Sequence, residues 1–106
     1  MINSRSKGKR GELELAKYLR LRGFTGARRG QQFKGTPDSP DIVDAISGFH
    51  IECKRVEALQ LYPAMAQAKK DAAAHDAPVV IHRRNQEEWV AILPLDVFLE
   101  LVKDRA

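Results

Sequence analysis

Between Lys9 and Arg22 the apolar residues Leu13, Leu15, Ala16, Tyr18, Leu19 and Leu21 recur at helical spacing, and Gly23 follows as a C′ residue. Phe24 to Arg29 then reads as a short strand, and Gly30 to Pro40, with Gly35, Pro37 and Pro40, as a loop. Two strand-like runs, 41–46 and 49–54, flank Ser47-Gly48, which is a hairpin signal. Pro63 opens a second helix that runs from Ala64 to about His75, and Pro78 closes it. Val79 to His82 and Trp89 to Leu93 are apolar enough for strands of a buried sheet. Leu95 to Lys103 completes the chain as a short helix with Val97, Phe98, Leu101 and Val102 on its inner face. Helix, three strands, helix, two strands, helix predicts an α/β architecture with a mixed central sheet flanked by helices.

No repeat, low-complexity stretch or long linker divides the 106 residues, so one domain over 1–106 is expected. No run approaches the ~18 apolar residues of a membrane helix, and Met1 to Arg5 lacks the apolar region of a signal peptide. The expectation is a soluble protein of the reducing cytoplasm, with no membrane partner. Cys53 is the single cysteine, and with three scattered histidines it gives no zinc-ligand spacing. Cys53 reads as a core thiol, and His50, His75 and His82 as polar or half-exposed imidazoles.

Charge changes the picture more than composition does. Residues 1–34 hold ten Lys and Arg against Glu12 and Glu14, a net of +8, whereas 35–106 hold eight against twelve acids, a net of −4. A basic end that includes Lys7, Lys9, Arg10, Arg28, Arg29 and Lys34 is a surface for phosphates, so DNA is the expected partner.

On the first helix Glu12 falls within the arc of Leu15, Ala16 and Leu19, while Glu14 points to water. A carboxylate on the apolar side costs several kcal/mol unless a cation or hydrogen bonds meet it. The dipole of a first helical turn supplies only ~0.3–1 kcal/mol of that. A two-residue turn at Ser47-Gly48 places Ile46 opposite Phe49, Val43 opposite Glu52 and Asp41 opposite Lys54. Asp41, Glu52 and Lys54 then share one face, and Asp44 lies on the other. Carboxylates of this kind hold Mg²⁺ through hard oxygens, with Mn²⁺ expected to substitute, and a neighbouring lysine can orient water or stabilise a phosphorane-like transition state. Glu12, Asp41 and Glu52 are the candidate metal ligands, and Lys54 joins them as a candidate catalytic residue.

Pro40-Asp41 followed by Glu52-Cys53-Lys54 resembles the PD-(D/E)XK nuclease superfamily. With Gly8 to Glu12, Gly23-Phe24 and Arg28-Arg29-Gly30, the chain is similar to the small Holliday junction resolvases of that superfamily over residues 6–82. The resemblance implies a restriction-endonuclease-like αβββαβ core and the same Glu12, Asp41, Glu52 and Lys54. It also implies a basic residue after the first helix, either Arg28 or Arg29, and Gln67 as a possible accessory. The activity implied is Mg²⁺-dependent resolution of four-way junctions by paired nicks, and two-fold related cuts from a chain with one site call for a homodimer. The alternatives are a nickase or endonuclease of the same chemistry on other DNA structures, and a non-catalytic DNA-binding dimer.

Overall fold

Leu15, Ala16 and Leu19 carry the first helix, α1 (Ser4–Leu21), onto the sheet through Ile42, Ile51, Val79 and Ile81. The structure is a computed structural model and describes residues 4–30 and 40–105, the side chains of 4–7 excepted. The helix starts five residues ahead of the expected Lys9, because Lys and Arg are good helix formers and extend it beyond its apolar stripe. Glu12 therefore sits near the middle of the helix, and the expected help from first-turn dipoles does not reach it. Gly23 ends the helix at φ +103°, with its N–H donating to Arg20 O and that of Phe24 to Leu19 O, a Schellman motif.

The expected strand over 24–29 is reduced to β1 (Arg28–Arg29), since Ala27 N–H turns back to Phe24 O. Gly30 comes next, where a Cβ would collide with the Pro40 carbonyl oxygen, and its N–H donates to Asp41 O at 2.8 Å. Only glycine allows the chain entering β2 (Ile42–Val43) to lie this close.

The connection from β2 to β3 (Phe49–Arg55) is wider than a two-residue turn. It spans residues 44–48, with positive φ at Asp44 and Gly48, and the register pairs Ile42 with Ile51. Ile46 does not face Phe49, and Asp41 lies level with Glu52 rather than Lys54. The shift from the expected register is two residues, so every side chain keeps its face. Asp41, Glu52 and Lys54 thus remain together.

After β3 the chain crosses over through α2 (Leu61–Asp71) to β4 (Ala77–Arg83), which pairs parallel with β3, and β5 (Val90–Ile92) returns antiparallel. The sheet order is β1-β2-β3-β4-β5. Ala64, Met65 and Ala68 of α2 pack on Val80, opposite the α1 face that takes Val79 and Ile81. The architecture is the expected mixed α/β sheet between helices, compatible with a restriction-endonuclease-like fold. Helix α2 stops at Asp71, short of His75, because Ala72 turns extended (ψ 139°) to lead into β4.

The last helix, α3 (Leu95–Lys103), departs most from expectation, since none of its residues is buried. Phe98 and Val102 are about half exposed, and α3 belongs to neither core cluster. Beyond β5, whose Val90 is itself exposed, no described layer remains to cover the stripe. No helix among the described residues is long and apolar enough to cross a membrane.

Candidate active site

Asp41 stands where the chain enters β2, and its position is fixed from both sides. Its backbone N–H donates to Ile51 O, and its Oδ2 accepts the Cys53 N–H at 2.8 Å. Glu52 projects from the middle of β3, 3% exposed, with its Oε1 2.7 Å from His50 Nε2. Glu12 reaches the same place from α1, and its Oε1 accepts Arg29 Nε at 2.6 Å. Lys54, two residues after Glu52 on the same face, donates from Nζ to Gln67 Oε1 of α2 at 3.4 Å.

All four line one pocket of about 320 Å³, which Gly8, Arg55 and Gln67 also border. Burial raises the proton affinity of Glu12, the charge of Asp41 raises it further, and Arg29 opposes both. Glu52 is pushed up to about 8, first by burial, then by Asp41, with Lys54 working against the shift. Both glutamates therefore feel Asp41, and the pocket concentrates more negative charge than its own cations offset.

The donor chemistry fits a divalent cation. Three hard carboxylates converge, and repulsion among them is what a bound ion would relieve. As the side chains stand, the described residues contain no group of three or more His, Cys, Asp or Glu drawn tightly enough to hold a metal. Arg29 and His50 hold oxygens of Glu12 and Glu52, and the Cys53 N–H holds one of Asp41. Mg²⁺ does not require a closed cage, because it keeps several waters and is commonly held by one or two carboxylates plus substrate phosphate.

Among the basic candidates the structure separates Arg29, which bonds Glu12, from Arg28, which pairs with Asp44 at 2.8 Å away from the pocket. Lys9 and Arg10 are exposed on α1. The side chain of Lys7 and all of Lys34 lie outside the described residues. Gln67 is exposed, off the buried stripe of α2 as expected, yet on the side where Lys54 emerges.

Three neighbours were not anticipated. His50, expected to be half exposed, is 2% exposed and bonded to Glu52, and the signal for it was its position two residues before Glu52 on one strand face. Glu14 does not simply face water, because Arg55 and Arg83 both pair with its Oε1. Asp71, at the end of α2, adds to the negative charge felt by Glu52. Cys53 is half buried beside the first core cluster, and burial pushes its thiol well above the ordinary range, so it is inert as a nucleophile.

A mixed sheet that brings a helix glutamate, an aspartate and a Glu-x-Lys strand to one pocket has the form of a PD-(D/E)XK nuclease. The chain belongs to the family described as phage putative PDDEXK endonuclease, whose model matches residues 3–105. Membership makes DNA the implied substrate, and nucleases of this superfamily generally use divalent metal ions. No match was found among curated proteins or among solved structures.

Proposed function

We propose that the chain is a Mg²⁺-dependent, structure-selective endonuclease that resolves four-way DNA junctions by paired nicks, with residues 1–106 forming one nuclease domain that works as a homodimer. The observation that carries this reading is the meeting of Glu12, Asp41 and Glu52 with Lys54 around one pocket. Asp41 and Glu52 would hold the ion, and Glu12 would complete its surroundings from α1. A bound Mg²⁺ would offset charge on the scissile phosphate and make the water it binds more acidic, so that hydroxide is more accessible near neutral pH.

The chain's own groups supply the rest. Lys54, steadied by Gln67, presents its ammonium to the phosphate oxygen on which negative charge grows as water attacks phosphorus and the strand's P–O bond breaks. The Cys53 N–H orients Asp41, and the His50 ring fixes one oxygen of Glu52, so each carboxyl keeps a set direction at the edge of the pocket. Lys7, Lys9, Arg10, Arg29 and Lys34 bind the sugar–phosphate backbone around the cut.

Junction resolution is favoured over sequence-specific cutting because the basic residues Lys7, Lys9, Arg10 and Arg29 suit contacts to the sugar–phosphate backbone, which carry no sequence information. The uncovered apolar stripe of α3 supports a dimer, which supplies the second cut. The test is cleavage of a labelled four-way junction beside linear duplex, each with Mg²⁺, Mn²⁺ or EDTA. Symmetric nicks in the junction that need the metal and survive excess duplex are expected. Equal cutting of both substrates by a monomer rejects resolution and leaves an endonuclease of the same chemistry.

A further inference from the structure

Two glycines lie within one turn of each other on α1, and only one of them has an internal reason to be glycine. A Cβ on Gly11 would stand 2.6 Å from the Arg55 Cβ, so a side chain there would push α1 off the end of β3. Beyond its chain neighbours and its own helix backbone, Gly8 has no described atom within 4 Å of its Cβ position, and its φ lies outside the left-handed region. An exposed glycine inside a helix is a poor choice on its own terms, since it loses more backbone entropy than alanine and packs nothing. Neither the backbone conformation nor the described packing accounts for Gly8.

Its location does. Gly8 borders the same pocket as Glu12, Asp41, Glu52 and Lys54, four residues before Glu12 and thus on the same side of α1. Lys9 and Arg10 follow it and are exposed. A bare stretch of helix at the rim of the pocket, flanked by cations, is suited to a polyanion that comes close to the helix backbone.

We infer that Gly8 is a substrate contact, at which the sugar–phosphate backbone of the strand to be cut lies against α1 at the rim of the pocket. This rests on the nuclease reading and adds a residue that sets how closely the strand approaches. Any side chain at position 8 fills the rim and holds the phosphate away from Glu12 and Glu52. Because nothing among the described residues needs the glycine, the same change improves the helix, so stability and function move in opposite directions.

Wild type, Gly8→Ala and Gly8→Leu are compared by thermal unfolding, by calorimetric titration with Mn²⁺ alone, by binding of labelled junction and duplex in Ca²⁺, and by single-turnover cleavage in Mg²⁺. Both variants should melt higher, by about 4 °C, and bind Mn²⁺ as wild type does. DNA affinity and cleavage should fall stepwise from Gly to Ala to Leu, with Leu losing at least about tenfold. A Leu variant that binds and cleaves like wild type overturns the inference while leaving the nuclease reading intact. A variant that melts lower than wild type overturns it as well, by showing that the position packs against the protein. Wild type that binds DNA and never cuts it defeats the nuclease reading, whereas loss of that binding in Gly8→Leu still upholds the contact.

Discussion

His50 Nε2 stands 2.7 Å from Glu52 Oε1, and both side chains are almost fully buried on the same face of β3. The imidazole orients one of the carboxylates proposed to hold the metal. His50→Leu should cost about 1–3 kcal/mol by removing a buried hydrogen bond from Glu52. It should also weaken Mn²⁺ binding, measured by calorimetry on the folded variant, with His50→Asn recovering part of the affinity. Unchanged affinity in a folded Leu variant would remove His50 from the site.

Arg28 and Arg29 are adjacent in sequence and belong to different neighbourhoods. Arg29→Ala strips from the inward-facing Glu12 its cationic partner among the described residues and should destabilise the protein by about 1 kcal/mol after allowing for the exposure of the pair. Arg28→Ala breaks a pair that is more than half exposed on both sides and should stay within ~0.5 kcal/mol of wild type. Urea unfolding of the two variants decides this, and equal losses would contradict the distinction.

The raised proton affinity of Glu52 gives stability a pH dependence. A carboxyl whose folded pKa of about 8 lies above its ordinary 4.5 binds its proton more tightly in the folded state. Its contribution is full below the unfolded value and is lost as pH rises through the folded one. In EDTA the melting temperature should consequently fall between pH 5.5 and 8.5. Mg²⁺ binds the ionised carboxylates, so it should restore more at pH 8.5 than at 5.5. A metal-free protein that gains stability over this interval would show that Glu52 is not held in the described surroundings.

Much of the candidate site was legible because it depends on periodicity alone. The helical wheel turned Glu12 inward, and strand alternation put Asp41, Glu52 and Lys54 on one face even though the register differs by two residues. An odd slip would have scattered them. The missed features depend on what covers a face, which alternation does not reveal. His50 reads as a polar strand residue until β3 is seen in the middle of five strands. Glu14 and Arg83 are 69 positions apart, and no local pattern joins them. The stripe on α3 was legible as amphipathic, but amphipathicity says only that something apolar should cover it, and within the described chain nothing does.

The most direct measurement is Mg²⁺-dependent cleavage of DNA by Asp41→Asn and Glu52→Gln, read beside their melting temperatures and DNA affinities. Each substitution removes an ionisable carboxyl from a crowded acidic pocket while keeping the side-chain shape, so the fold and DNA binding should persist or improve. Cleavage should fall by orders of magnitude in both, with Glu14→Gln cutting DNA as a control because its partners Arg55 and Arg83 bond none of the proposed metal ligands. Substantial Mg²⁺-dependent cutting by either Asp41→Asn or Glu52→Gln would contradict the account.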